Sequence, residues 1–150
     1  MSTSLKVLVL ASLTNLVGNV LGTILALQYH LPAGFGGLLH GQDVLRDFLT
    51  FNGTALSAPL PFLLIQLGLT ILVLRLGRSG RIGVAGLILM GAFYTLAQLG
   101  EPIVLRLLRP DGFDLAQAIV LLVVLTSSIV MAVFGTQVWR TMQASRPIAG

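Results

Sequence analysis

The 150-residue chain is 55% apolar and only 9% charged, whereas a soluble domain of this size carries about 25% charged side chains. It has no cysteine, which excludes disulfides, thiolate metal ligation and cysteine nucleophiles. A net charge of +4 with no soluble face to carry it reads as a membrane topology signal, so nucleic acid is not an expected partner.

Four stretches lack any charged side chain: Val7 to Tyr29, Phe48 to Leu74, Ile82 to Gly100 and Leu115 to Trp139. Each is long enough for a helix crossing a hydrocarbon core of roughly 30 Å, which needs about 20 apolar residues that satisfy their own backbone polar groups. The expected architecture is one all-α integral membrane domain, an up-down four-transmembrane-helix bundle with spans over about 6–29, 58–76, 82–105 and 114–139.

The first stretch could instead be a signal peptide, with Lys6 as its charged region and Ile24-x-Ala26 as its cleavage site. It exceeds a typical signal core of roughly 7–15 residues, and Asn15 and Asn19 interrupt it, so a retained span is expected. Within it Ser12, Asn15, Asn19, Gly22, Ala26 and Tyr29 recur at steps of three and four, tracing one stripe, and Gly18 and Gly22 form a small-xxx-small pair. Two asparagine amides facing lipid would lack partners, so this stripe should face the protein interior.

The first outer loop opens with Leu31-Pro32-Ala33-Gly34-Phe35-Gly36-Gly37, a turn composition. From Asp43 to Phe51, apolar Val44, Leu45, Phe48 and Leu49 oppose Asp43, Arg46, Asp47 and Thr50, which predicts a short interfacial helix. Asn52-Gly53-Thr54 matches the glycosylation pattern, a short motif that chance often produces. Ser57 offers an N-cap oxygen, with Pro59 and Pro61 in the first turn of the second span.

The later spans each carry polar groups near their middles. Gln66 and Thr70 lie in the second span, Tyr94 and Gln98 in the third, and Thr126, Ser127 and Ser128 in the fourth. At 1.5 Å per residue all fall within about two turns of the midplane, so a polar layer is expected. It serves either as hydrogen-bonding glue or as a pocket for a small polar or amphipathic ligand. The candidate ligand-binding set is Asn15, Asn19, Gln66, Thr70, Tyr94, Gln98, Glu101, Ser127 and Ser128.

Glu101 continues the line of Gly91, Tyr94 and Gln98, and an acid at membrane depth is a functional candidate. Two geometries are open. The third helix can run to Leu108 with a kink at Pro102, or stop at Gly100 so that Glu101 caps a short interfacial helix with Arg106 and Arg109 near its end.

Lys6, then Arg75, Arg78 and Arg81, then Arg140 and Arg146 fall on one side, which should be the cytoplasm and should hold both termini. Trp139 and Met142 fit an anchor at that inner interface. The other side receives Arg46, Arg106 and Arg109 with all the acids: Asp43, Asp47, Glu101, Asp111 and Asp114. Eight of nine basic residues are Arg, as codon usage in a GC-rich bacterial genome would produce, so a multi-pass protein of a bacterial plasma (inner) membrane is expected.

His30 and His40 share the outer loop with Asp43, but ten residues separate the histidines and no metal-ligand spacing is present, so no metal or cofactor is expected. Gln66-Leu67-Gly68 and Gln98-Leu99-Gly100 precede similar Leu/Arg runs, a weak echo of the kind left by inverted duplication. No catalytic signature appears; an enzyme would have to use Glu101 with His30 or His40 as acid and base. The expected function is non-enzymatic binding of a lipid-like or amphipathic small molecule, or of a partner membrane subunit. The alternative is a dimeric, proton-coupled small transporter using Glu101. Expected partners are membrane lipid and a homodimer or larger membrane complex.

Overall fold

The computed structural model describes residues 2–34, 41–75 and 77–144, and these are all-helical with no strand. Phe35, Gly36, Gly37, His40, Leu76 and Arg146, which figured in the expectations above, lie outside the described residues. Three helices are long and apolar enough to cross a membrane: α1 (Thr3–Tyr29), α4 (Arg78–Leu99) and α6 (Leu115–Ala144), of 27, 22 and 30 residues. Between them lie α2 (Val44–Leu49), the shorter apolar α3 (Leu60–Val73) and α5 (Pro102–Leu107).

Local chemistry sets the ends. Ser2 caps α1 by accepting from the Leu5 N–H, and the helix stops where His30 turns left-handed at φ 51° and donates its N–H to Ala26. Asp43 caps α2 through the Arg46 N–H, placing the short helix where the apolar and polar alternation predicted it. Asp114 caps α6 by accepting from the Gln117 N–H.

Two spans differ from expectation. The second was expected over 58–76, with Ser57 as its cap, but α3 covers only 14 residues and its N-cap is Pro59, which makes no side-chain cap bond. The cause is the tight turn before it, where Thr54 and Ser57 exchange backbone hydrogen bonds and the Ser57 hydroxyl is drawn to Thr23 of α1 at 2.7 Å. The third was expected over 82–105, but it breaks after Leu99. Pro102 has no N–H, so the Gln98 carbonyl receives the Glu101 N–H at 3.2 Å, and the chain restarts as α5 with Pro102 in its first turn. Of the two geometries for Glu101, the interrupted helix is the one adopted.

α1 packs on α3 and α6, and α4 packs on the same two helices. Contacts run in opposite chain directions in each pair: Ser12 meets Thr70 while Thr23 meets Ser57, and an added Cβ at Gly83 would strike Val73 while Gly86 faces Leu69. At Gly91 the backbones of α4 and α6 come so close that a Cβ would lie 2.7 Å from the Ser128 carbonyl oxygen. This is the small-residue contact that brings helices together where lipid supplies no hydrophobic drive. The apolar core joins Leu8, Val73, Val84, Leu87, Met131 and Val138, with Trp139 and Met142 packed against it.

Leu10, Leu64, Leu89, Leu96 and Leu122 are each at least 60% exposed, an outward belt that water would oppose and acyl chains would not.

Candidate functional site

The site is built from the α1 stripe outward. Ser12, Asn15, Asn19, Gly22 and Ala26 are buried, as the spacing predicted, whereas Tyr29 is 51% exposed because α1 ends there. Asn15 donates through Nδ2 towards the Val124 carbonyl and the Ser127 and Ser128 hydroxyls of α6 at 2.9–3.0 Å. Its Oδ1 accepts from Asn19 Nδ2 at 3.0 Å, and Asn19 Oδ1 accepts the Ala58 backbone N–H at 2.7 Å. One side-chain chain thus ties α6, through α1, to the irregular entry of α3.

A second knot sits deeper. Gln66 Nε2 donates to the Ser12 carbonyl and hydroxyl, both at 3.1 Å, and the Ser12 and Thr70 hydroxyls share a 2.7 Å bond. Serine and threonine hydroxyls also return to carbonyls one turn back, as Thr70 does to Gln66 and Ser128 to Val124. Thr126, expected in this layer, is exposed, since the burial on α6 falls on Val124, Ser127, Ser128 and Met131.

The nine candidate residues are all buried, but the structure divides them. Asn15, Gln66, Thr70, Ser127 and Ser128 line no part of the cavity described next; Asn19, Tyr94, Gln98 and Glu101 do. This cavity measures about 150 Å³ and lies among α1, α3, α4 and the segment around Phe51 to Pro59. One wall is aromatic. Phe62 stacks on Phe93 with centroids 5.6 Å apart and planes 18° apart, Phe51 meets Phe62 edge-on at 6.4 Å, and Tyr94 follows Phe93 at 6.2 Å. Phe51 and Phe93 are 74% and 51% exposed, so this part of the lining reaches the protein surface.

The lining also carries buried polar atoms. Tyr94 Oη and Gln98 Oε1 are buried without a hydrogen-bond partner among the described residues, a condition that costs free energy unless something occupies the space beside them. Glu101 closes the cavity and is itself buried; its Oε2 accepts from the Gly34 backbone N–H at 3.1 Å, so the carboxylate is held by the outer loop and does not cap α5. Glu101 also lines a second space of about 250 Å³ formed with Pro32, Gly34, Pro102, Ile103 and Arg106. Arg106 donates to the side-chain oxygen of Gln117 of α6. His30 is exposed at the end of α1, and among the described residues no three His, Asp or Glu side chains cluster as metal ligands.

The aromatic wall was not singled out in the sequence. Phe51, Phe62 and Phe93 come from three separate elements, and their only local signal is the Phe93-Tyr94 pair one turn before Ala97 and Gln98. Asn52, expected only as a glycosylation match, donates to Asp47 Oδ1 at 3.0 Å and also borders the cavity.

Comparison with protein-family models, with curated proteins and with solved structures gives no match.

Replacing Asn15 with Ala deletes the donors to α6 and the acceptor of Asn19. The free energy of unfolding in detergent, followed by circular dichroism, is expected to fall by about 1–2 kcal/mol. Thr126→Val on the exposed face is expected to change it by less than about 0.5 kcal/mol.

Proposed function

We propose that this is a multi-pass protein of a bacterial plasma membrane, an up-down four-transmembrane-helix bundle with both termini cytoplasmic, that binds a lipid-like or amphipathic small molecule. The second crossing combines α3 with the turn from Thr54 to Ser57, whose backbone is buried against α1 and so meets the requirement on non-helical chain at membrane depth. Orientation rests on the sorting of charge, with Lys6, Arg75, Arg78, Arg81 and Arg140 towards one end and every acid towards the other.

The observation that carries the binding reading is the cavity with its mixed aromatic and polar lining. A small number of convergent polar atoms facing an apolar aromatic wall is the usual composition of a small-molecule site. The volume of about 150 Å³ is on the scale that accepts one six-membered ring. Phe51 and Phe93, which line the cavity and are exposed, let an apolar tail remain in the outer leaflet. A partner subunit is a weaker reading of the polar residues, because Asn15, Gln66, Ser127 and Ser128 already bond within the chain.

A second reading, proton-coupled transport by a dimer, draws on one observation: the buried Glu101 borders both the aromatic cavity and the space beside Arg106. A buried carboxyl that borders two spaces is placed to hand a proton from one to the other.

A reporter active only in the cytoplasm, fused after Gly150, is expected to be active; activity of a periplasm-only reporter at that position overturns the orientation. Native mass spectrometry of the protein taken from membranes in mild detergent is expected to show a small-molecule adduct that Ala97→Phe, filling the cavity, loses while its helical spectrum persists. Equal adducts on both proteins would remove the basis for this site. Glu101→Gln is expected to leave the adduct's presence and assembly intact under the binding reading, and to abolish proton-driven uptake in liposomes under the transport reading.

A further inference from the structure

We propose that the cavity holds a neutral aromatic hydroxyl, the phenolic ring of a membrane-borne molecule, whose hydroxyl donates to Gln98 Oε1 and accepts from Tyr94. The inference rests on the binding reading above and names the ligand class for that site. Two orphaned polar atoms, their spacing on α4, and the size and chemistry of the lining point the same way.

Tyr94 and Gln98 are 2% and 6% exposed, and neither Tyr94 Oη nor Gln98 Oε1 has a hydrogen-bond partner among the described residues. Gln66 Oε1 shares this condition but lines no part of the cavity, whereas Tyr94 and Gln98 both border it. The two residues stand four apart on α4, on one face of the helix with Cβ atoms about 5–6 Å apart, so a single small group can reach both. An amide oxygen only accepts, while a tyrosine hydroxyl donates and accepts. The complementary guest group is one that does both, and a hydroxyl is the smallest such group. A ketone or ether oxygen leaves Gln98 Oε1 stranded, and a carboxylate meets it with a second acceptor. Glu101, on the same lining, is held by the Gly34 N–H, and no contact with the guest is asked of it.

The rest of the lining calls for a ring. Phe51, Phe62 and Phe93 stand with Tyr94 on a space of about 150 Å³, and an apolar cavity of about that volume accepts benzene. Phe62 and Phe93 stack at 5.6 Å and Phe51 meets Phe62 edge-on at 6.4 Å, so a guest ring extends this cluster by offset or edge-to-face contact. Phe51 and Phe93 reach the protein surface, which lets a ring substituent lie against acyl chains while the hydroxyl stays buried. A phenol meets both requirements at once. An alkyl alcohol meets only the polar one, and a hydrocarbon ring only the aromatic one.

The test compares three probes of similar size by fluorine NMR on the full chain in phosphatidylcholine nanodiscs. 4-Fluorophenol carries ring and hydroxyl and is neutral at physiological pH, as a phenol titrating near about 10 is. 4-Fluorotoluene replaces the hydroxyl with a methyl group, and 4-fluorocyclohexanol keeps the hydroxyl without the aromatic ring. Affinities are referred to the probe concentration in the membrane, measured in empty nanodiscs, so that partitioning cancels. 4-Fluorophenol is expected to bind at least about 5-fold more tightly than either other probe. Gln98→Leu and Tyr94→Phe are each expected to weaken 4-fluorophenol binding by about 3- to 10-fold and to leave 4-fluorotoluene within about 2-fold. Without any probe, Tyr94→Phe is expected to leave the melting temperature unchanged or raised, since the hydroxyl it deletes has no partner to lose. 4-Fluorotoluene binding as tightly as 4-fluorophenol, or a phenol preference intact in both variants, overturns the hydroxyl assignment in favour of water at the two atoms, while leaving the site in place. A lowered melting temperature for Tyr94→Phe overturns it too, by showing that Oη is bonded within the chain. 4-Fluorocyclohexanol binding as tightly as 4-fluorophenol overturns the aromatic requirement. Binding of none of the three probes, or equal binding by Ala97→Phe and the wild type, overturns the site itself.

Discussion

The structure depends on two neighbouring asparagines on α1. An amide in hydrocarbon has up to four hydrogen-bonding positions to satisfy and no water to do it. Asn15 meets its share by reaching α6, and Asn19 by reaching back to Asn15 and forward to the Ala58 backbone. The need to satisfy these amides fixes helix register more strictly than greasy contacts can, since leucine against lipid and leucine against leucine differ little. Sliding α1 by one residue along α6 would strand both amides at once.

The same constraint explains where the helices end. The turn from Thr54 to Ser57 and the break after Leu99 are both irregular, and both occur where other groups absorb the exposed backbone. Asn19 takes the Ala58 N–H, while the Gly34 N–H goes to Glu101. Two interruptions at the same end of the helices leave the space that becomes the cavity. The interruption and the candidate site therefore have one origin, the failure of α3 and α4 to run on as uninterrupted helices.

Much of this was legible in the sequence because helix period and membrane solvation act locally. Spacing and depth placed Asn15, Asn19, Gln66, Tyr94 and Gln98 inwards, and the opposed apolar and polar faces from Asp43 to Phe51 placed α2. Tyr29 was misplaced because whether a stripe is covered depends on how far its neighbours extend, and Thr126 because depth along a helix does not say which face a residue takes. Ser57 has the composition of a cap, but a tertiary partner, Thr23, competes for its hydroxyl. The aromatic wall was invisible because it is assembled from residues 51, 62 and 93, whose meeting is a property of the fold and not of any segment.

The shortness of α3 has a consequence for the surrounding lipid. At 14 residues it spans about 21 Å, beside neighbours of 27 and 22 residues, so the hydrophobic girdle is uneven around the circumference. Its outward residues Leu64, Ile65 and Ile71 are well exposed, which leaves acyl chains on that flank with less apolar height to match. Hydrophobic mismatch of this kind is relieved by local thinning of the bilayer or by the protein leaning. Either response lowers the apolar boundary on the α3 flank, so a membrane-embedded form is expected to favour thinner bilayers.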